Sequence, residues 1–478
     1  MTDAKKVFHY FEEISRIPRE SGDEKAIAAY LADFAKERGL EVHSDSHSNV
    51  IIKKPSTVPN CACAPVIIQG HTDMVYVRDD NCKIAYEDGI GLIYKDGWLM
   101  ADGTTLGADD GIAVAYALAL LDMDEVPYPA IEAVFTTGEE IGCIGVGELD
   151  FNLLNGKYVI NLDTEEEGVF FTSCAGAFRN NLSIPLERET VSGLCPLTIK
   201  IRGLKGGHSG GDIHLGKANG IVLMSRLLSE LGDKVRISSL EAAGKTNAIS
   251  TNATAELLVE KAELEGVEAL IKQLENDFMH EYGNRDNISV EISCGDTRDG
   301  ACYTAESQKR AVSALSLLPN GVLGMSFDIA DLVESSSNPG FIEQKDNELI
   351  IHSLARSSVG SRKTELKEKF AAIATLTGGE SVCSAEYPQW EYRANSPLRQ
   401  LAMETYKELF KKEAKAMAIH AGLECGFFDK MLESVDIISY GPELQDIHTP
   451  MERADIASIE RIWTLTLSIL EKLAKQAQ

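Results

Sequence analysis

The chain lacks a long hydrophobic run. Its longest candidate, Gly111 to Leu121, is too short to cross a bilayer, which takes about 20 apolar residues. The amino terminus, Met1-Thr2-Asp3-Ala4-Lys5-Lys6, lacks the apolar stretch of a secretory signal. Positive charge is also scarce: 46 Lys plus Arg stand against 74 Asp plus Glu, a net charge of -28. Such a surface repels phosphate backbones and anionic lipid headgroups, so nucleic-acid and membrane partners are not expected. Nor is there a disulfide framework. The ten cysteines are scattered singly apart from Cys61 and Cys63, and that pair has no second Cys/His pair at finger-like spacing. Thiols spread through apolar segments fit a reducing compartment, and the expected location is cytoplasmic.

What is present is ordinary in bulk and unusual in detail. With 478 residues, 44% hydrophobic and 25% charged, the chain suits two or three globular domains. The buried strand predicted at Ile131 to Phe135 ends in Thr136-Thr137-Gly138-Glu139-Glu140. Two adjacent carboxylates at the mouth of a core strand repel each other unless they are solvated or a divalent metal lies beside them. A second apolar strand, Pro65 to Gln69, runs into Gly70-His71-Thr72-Asp73, where His71 and Asp73 project to one side of an extended chain. A third, Tyr158 to Leu162, ends at Asp163. Leu106-Gly107-Ala108-Asp109-Asp110-Gly111 precedes a small-residue helix, Ile112 to Leu121, so its carboxylates are either helix caps or ligands.

Composition shifts near Leu186 and again after Gly379, so residues 1-186 and 381-478 are read as two parts of one catalytic domain and 187-380 as an insertion. Within the insertion a strand followed by a helix occurs at Thr254 to Phe278 and again at Glu348 to Leu376, which suggests a weak internal repeat. The spacing predicts an α/β fold with strands that finish on metal-seeking residues, as in open sheets whose ligands sit at strand carboxyl ends. A two-metal hydrolytic site needs several His and carboxylate ligands around ions about 3.5–4 Å apart. His71, Asp109, Glu140, Asp163 and His448 are the candidates, with Asp73 behind His71 and Glu139 as the base.

These motifs, together with Asn161 to Gly168, Gly203 to Gly211, His420 to Gly426 and Ile447-His448-Thr449-Pro450, resemble the M20 metallopeptidase family in its aminoacyl-histidine dipeptidase branch. The resemblance runs from about residue 5 to the end. It implies a zinc-peptidase-like mixed sheet flanked by helices, with an inserted α+β lid domain, and two Zn ions per chain, with Co or Mn as substitutes. Asp109 would bridge the metals, His71 and Asp163 would complete one site, and Glu140 and His448 the other. Asp73 would support His71, and Glu139 would act as general base and then acid. In the lid, His208 would reach the scissile carbonyl, and Asn247 and Arg356 would fix the substrate carboxylate. The implied activity is hydrolysis of unblocked dipeptides, Xaa-His dipeptides such as carnosine included. The alternatives are a tripeptidase, an N-acyl amino-acid deacylase, or a catalytically silent binding protein on the same scaffold. Small peptides are the implied partners, and both a homodimer and a monomer are compatible with the resemblance.

Overall fold

The computed structural model describes residues 4–476. It divides into two compact units: one contains the chain up to Cys174, Trp390–Ala418 and the chain from Leu423 onward, and the other contains Ala175–Gln389 and Ile419–Gly422.

The first unit is built on an eight-stranded mixed sheet. Its strands are β1 (Glu41–Ser44), β2 (Val50–Lys54), β3 (Val66–His71), β4 (Ile131–Thr136), β5 (Tyr158–Asn161), β6 (Val169–Cys174), β7 (Lys415–Ile419) and β8 (Asp436–Ser439). They lie in the order β1-β2-β4-β3-β5-β8-β6-β7. β3 pairs in parallel with both β4 and β5, so His71 lies opposite Thr136 and Gln69 opposite Asn161. Every residue of β3 and β4 is buried, as expected of central parallel strands covered on both faces.

The helices around this sheet follow from periodicity. Lys5–Ser15 buries Val7, Tyr10, Phe11 and Ile14, a single apolar stripe. Ala108–Leu121 is apolar all round from Ile112 onward, and every one of its residues is buried. Tyr116 of that helix stacks on Trp463 of the last helix, Ile456–Gln476, with ring centroids 5.9 Å apart. Leu92–Lys95 and Trp98–Ala101 form a hairpin. Trp98–Ala101 pairs with Arg453–Asp455, which pairs in turn with Leu444–Gln445. The loop carrying His448 is therefore anchored at both ends.

The second unit holds two five-stranded sheets. In one, Val235–Glu241, Ala253–Val259, Arg188–Arg202 and Ser289–Cys294 lie in that order, and Arg298–Tyr303 also pairs with Arg188–Arg202. In the other the order is Gly321–Met325, Val333–Lys345, Glu348–Ser357, Gly176–Pro185 and Glu380–Tyr387. The repeat noted in the sequence corresponds to Ala253–Val259 with helix Leu264–Tyr282, and to Glu348–Ser357 with helix Gly360–Thr377. Each of these strands lies between an antiparallel predecessor in sequence and a strand from earlier in the chain. The apolar faces meet in a core that includes an edge-on contact of Phe178 with Phe370 at 6.3 Å.

Candidate metal centre

Three parallel-strand ends supply most of the site. His71 is the last residue of β3, Glu139 and Glu140 follow β4 after a left-handed turn at Gly138 (φ +59), and Asp163 follows β5. Asp109 comes from the start of helix Ala108–Leu121, where Asp109 and Asp110 have non-helical dihedrals and no side chain caps the helix. The carboxylates there are thus not caps. His448 reaches the same place from its anchored loop, itself in the left-handed region (φ 60), which a residue with a Cβ seldom adopts.

The Asp109 carboxylate lies between two imidazoles. One oxygen is 3.2 Å from His71 Nε2, and the other is 3.1 Å from His448 Nε2. His448 Nε2 is also 2.7 Å from Glu140 Oε1, and His71 Nε2 is 4.0 Å from Asp163 Oδ1. Hydrogen bonds accepted by the Asp109 and Glu140 carboxylates push the His448 pKa up to about 10. Burial works against charging His71, but Asp109 and Asp73 outweigh it and hold its pKa well above the usual range. Burial raises Asp109, yet the two histidines hold it well below the usual carboxylate range.

Asp73 lies beneath His71 and is fully buried. Its carboxylate accepts from Ser21 Oγ at 2.8 Å, the Glu139 amide at 3.1 Å and the Glu140 amide at 3.3 Å, and lies 3.4 Å from His71 Nδ1. One side chain thus ties the histidine to the turn carrying the two glutamates. Ser21 precedes the helix that begins at Lys25, and its hydroxyl serves this carboxylate. Burial pushes the Glu139 carboxyl up to about 8; His71 opposes the rise, and Glu424, Glu140 and Asp109 add to it.

The donor set suits divalent cations. Two groups, His71 with Asp110 and Asp163, and His71 with Asp109 and Glu140, have ligand atoms within 4.8 Å of one another. Imidazole nitrogen and carboxylate oxygen are the ligands zinc and its neighbours take. Asp109, Asp163, Glu139, Glu140 and Asp73 crowd five carboxyl groups around His71 and His448; burial raises the pKa of Glu139 and of Asp163, and bound cations would favour their ionised forms. Asp110 also faces His71, but its Oδ2 already accepts the His71 backbone amide at 3.2 Å.

In the second unit the three lid candidates cluster. The exposed His208 and Asn247 lie on adjoining backbone: Ser209 N donates to Asn247 O at 2.8 Å and Ile249 N to Gly207 O at 2.9 Å. His208 Nδ1 accepts the amides of Gly210 (3.3 Å) and Gly211 (3.0 Å), which leaves the neutral ring's proton on Nε2. Burial and the Arg356 guanidinium lower the His208 pKa. Arg356 is buried and donates to Tyr387 Oη at 2.8 Å. A Cβ at Gly210 would fall 2.6 Å from His420 O, 3.1 Å from His208 Cε1 and 3.3 Å from Arg356 Nε, so only glycine fits this junction. His420 bonds Ser336 Oγ through Nε2 at 2.7 Å, and burial pushes its ring down to about 3.

Sequence reading missed several participants. Glu424, to which it gave no role, is fully buried and accepts from Thr136 Oγ1 at 2.6 Å and Gln69 Nε2 at 2.5 Å; burial pushes it up to about 7. Arg19, Glu452 and Tyr387 carried no signal in local pattern, because the groups they touch are distant in the chain.

Residues 67–472 match the profile of peptidase family M20/M25/M40. The chain belongs to that family. It is 34% identical over 467 residues to the cytosol non-specific dipeptidase of Escherichia coli (strain K12), covering 97% of this chain and 96% of that one. Among solved structures of similar proteins, the aminoacylhistidine dipeptidase from Vibrio alginolyticus superposes with a TM-score of 0.89 at 30% identity, covering 98% of this chain and 96% of the other. A tripeptidase from Staphylococcus aureus shares the fold at a TM-score of 0.56 and 18% identity, covering 99% of each chain. The α/β fold and the M20 resemblance read from the sequence are thereby borne out.

Proposed function

We propose that this M20 peptidase hydrolyses unblocked dipeptides, Xaa-His dipeptides among them, with two divalent ions, zinc in this reading. The observation that carries the proposal is the Asp109 carboxylate shared between His71 and His448, with Glu139 on the adjoining turn. Asp109 would bridge the ions, His71 and Asp163 would hold one, and Glu140 and His448 the other. When bound, the ions would acidify a water molecule and draw charge from the scissile carbonyl.

Glu139 takes the proton of the attacking water and returns it to the leaving amine, a shuttle suited to a carboxyl whose pKa burial has raised. Asp73 holds His71 in one orientation from its Nδ1 side, with its backbone carbonyl at 3.0 Å and its carboxylate at 3.4 Å. His208, with its proton on Nε2, is assigned as donor to the carbonyl oxygen as negative charge develops there. Arg356 and Asn247 are assigned to the substrate carboxylate; the planar fork of arginine makes two parallel bonds to such a group and so favours short peptides. The names of the E. coli and Vibrio relatives support dipeptides as the substrate class, and the former supports a cytosolic location. A homodimer remains part of this reading.

The test is hydrolysis of carnosine and Gly-Leu by metal-depleted protein, with and without added zinc, beside a tripeptide and an acetylated amino acid. Turnover of a dipeptide restored by about two zinc ions per chain is the expected result. Zinc binding at that stoichiometry with turnover of neither dipeptide would refute it, and selective cleavage of the acetylated substrate would identify a deacylase.

A further inference from the structure

The segments that carry the candidate ligands are held from below by two buried side chains of opposite charge. Arg19 is 1% exposed and Glu452 is 2% exposed. Glu452 uses both oxygens to accept consecutive backbone amides: Leu106 at 2.8 Å and Gly107 at 3.0 Å on one, Ala108 at 2.8 Å and Asp109 at 3.5 Å on the other. Its own amide donates to Thr449 O at 3.1 Å, beside His448. Arg19 donates from Nη1 to Thr72 O at 3.0 Å and Asp73 O at 3.5 Å, and from Nη2 to Gly107 O at 2.6 Å. The turn at Gly107 is therefore held by its amide from Glu452 and by its carbonyl from Arg19.

Packing leaves no slack in this arrangement. A Cβ at Gly107 would lie 2.6 Å from Arg19 Nη2, and one at Gly111 2.5 Å from the same atom. Gly107 has φ +66, a conformation glycine adopts at no steric cost. The arginine thus fills the space beneath the glycine-flanked turn, and its forked head spans from the β3 end to that turn. A lysine, with one charged nitrogen, could not hold both. Glu452 has both oxygens occupied by amides and is not placed as a ligand.

We infer that Arg19 and Glu452 are positioning residues that set the spacing of His71, Asp109 and His448, and hence the affinity of the metal pair. The inference rests on the metallopeptidase reading above. Neither residue touches substrate. They act through the backbone of three segments far apart in sequence, as supporting shells do when they orient metal ligands.

The experiment uses the full-length chain stripped of metal and titrated with zinc against a competing chelator. Two variants are compared with the wild type, E452Q and R19K, and each is checked by circular dichroism and thermal melting. In E452Q an amide NH2 replaces one acceptor and faces two backbone N–H groups, so the Asp109 turn must shift. The expected result is zinc affinity weakened about 10–100-fold in both variants, with kcat on a dipeptide lowered at limiting zinc and partly rescued by excess zinc, and KM little changed. Zinc affinity equal to wild type in a folded variant, even one with a lower melting temperature, would overturn the inference and reduce the pair to a structural role. Should E452Q fail to fold, R19K decides the matter by the same criterion. Weakened zinc affinity in the variants of a chain that cleaves no dipeptide would uphold the positioning role and refute the dipeptidase reading.

Discussion

Replacing Asp73 by asparagine perturbs the site without altering its size. One carboxylate oxygen faces Ser21 Oγ and the Glu140 amide, and the other faces the Glu139 amide and His71 Nδ1. Whichever oxygen becomes NH2 then confronts a backbone N–H that it cannot accept from. At least one charge-assisted bond is lost outright, at about 1.5–3 kcal/mol, so a loss of at least ~1.5 kcal/mol is expected at neutral pH. The pH dependence gives a second handle. Burial alone would raise the Asp73 pKa, but His71, Ser21 and the Glu139 amide bring it down to about 2 from an ordinary 3.8. A depressed carboxylate stabilises the fold above its unfolded pKa and loses that contribution as pH falls through its folded pKa; the difference is about 2 kcal/mol. Urea unfolding of metal-free wild type and D73N should therefore show a gap that is widest above pH 5 and narrows below pH 4. Zinc titration should show weaker binding in D73N by about 10–100-fold, because His71 Nδ1 keeps the Asp73 carbonyl at 3.0 Å but loses the carboxylate at 3.4 Å, and the turn carrying Glu139 and Glu140 loses its anchor. A stability gap independent of pH, or unchanged zinc affinity, would refute the reasoning.

Glu139→Gln should lower kcat by about 100–10,000-fold while zinc binding stays near wild type, and a loss under tenfold in single-turnover assays would remove Glu139 from the proton shuttle. Arg356→Lys should raise KM for a dipeptide, whereas C-terminally amidated dipeptide, already poor, should distinguish the two proteins little; equal losses on both substrates would argue against carboxylate recognition. Gly441→Ala would place a Cβ 1.9 Å from Thr164 O, next to Asp163, so the melting temperature should fall, with a cost of about 1–3 kcal/mol from forced backbone movement. An unchanged melting curve would show that this crossing is slack.

Much of the candidate centre was legible because its signal is local. An apolar run that halts on His71, on Glu139 and Glu140 or on Asp163 announces a strand end with chemistry attached, and β3, β4 and β5 stop within a few residues of those positions. The strand followed by a helix that was read over Glu348 to Leu376 is found as Glu348–Ser357 and Gly360–Thr377, and its apolar residues are likewise a local signal. Less legible was the start of the helix read from Ile112. It begins at Ala108, because Gly107 and the distorted backbone of Asp109 and Asp110 form a turn whose shape depends on Glu452 and Arg19. That Ile419–Gly422 joins the second unit while its neighbours on both sides join the first was not legible either, since His420 meets Ser336 and Gly422 meets Tyr387 only once the chain has closed.

The sequence by itself determined which residue types stand at the strand ends, and hence that imidazole and carboxylate groups, on a strongly acidic chain, would meet a cation. Tertiary structure decided which of them meet. The parallel register of β3 against β4 and β5 brings His71, the Glu139 turn and Asp163 to one end of the sheet, and the anchored loop adds His448. The folded chain gives the physical ground for setting Asp109, which lies between two histidines, apart from Asp110, which accepts the His71 amide. The reason is physical: side-chain chemistry is a property of each residue, whereas hydrogen-bond register and burial are properties of pairs. The pairs that hold this site together, Arg19 with Gly107 and Glu452 with Asp109, are remote in sequence.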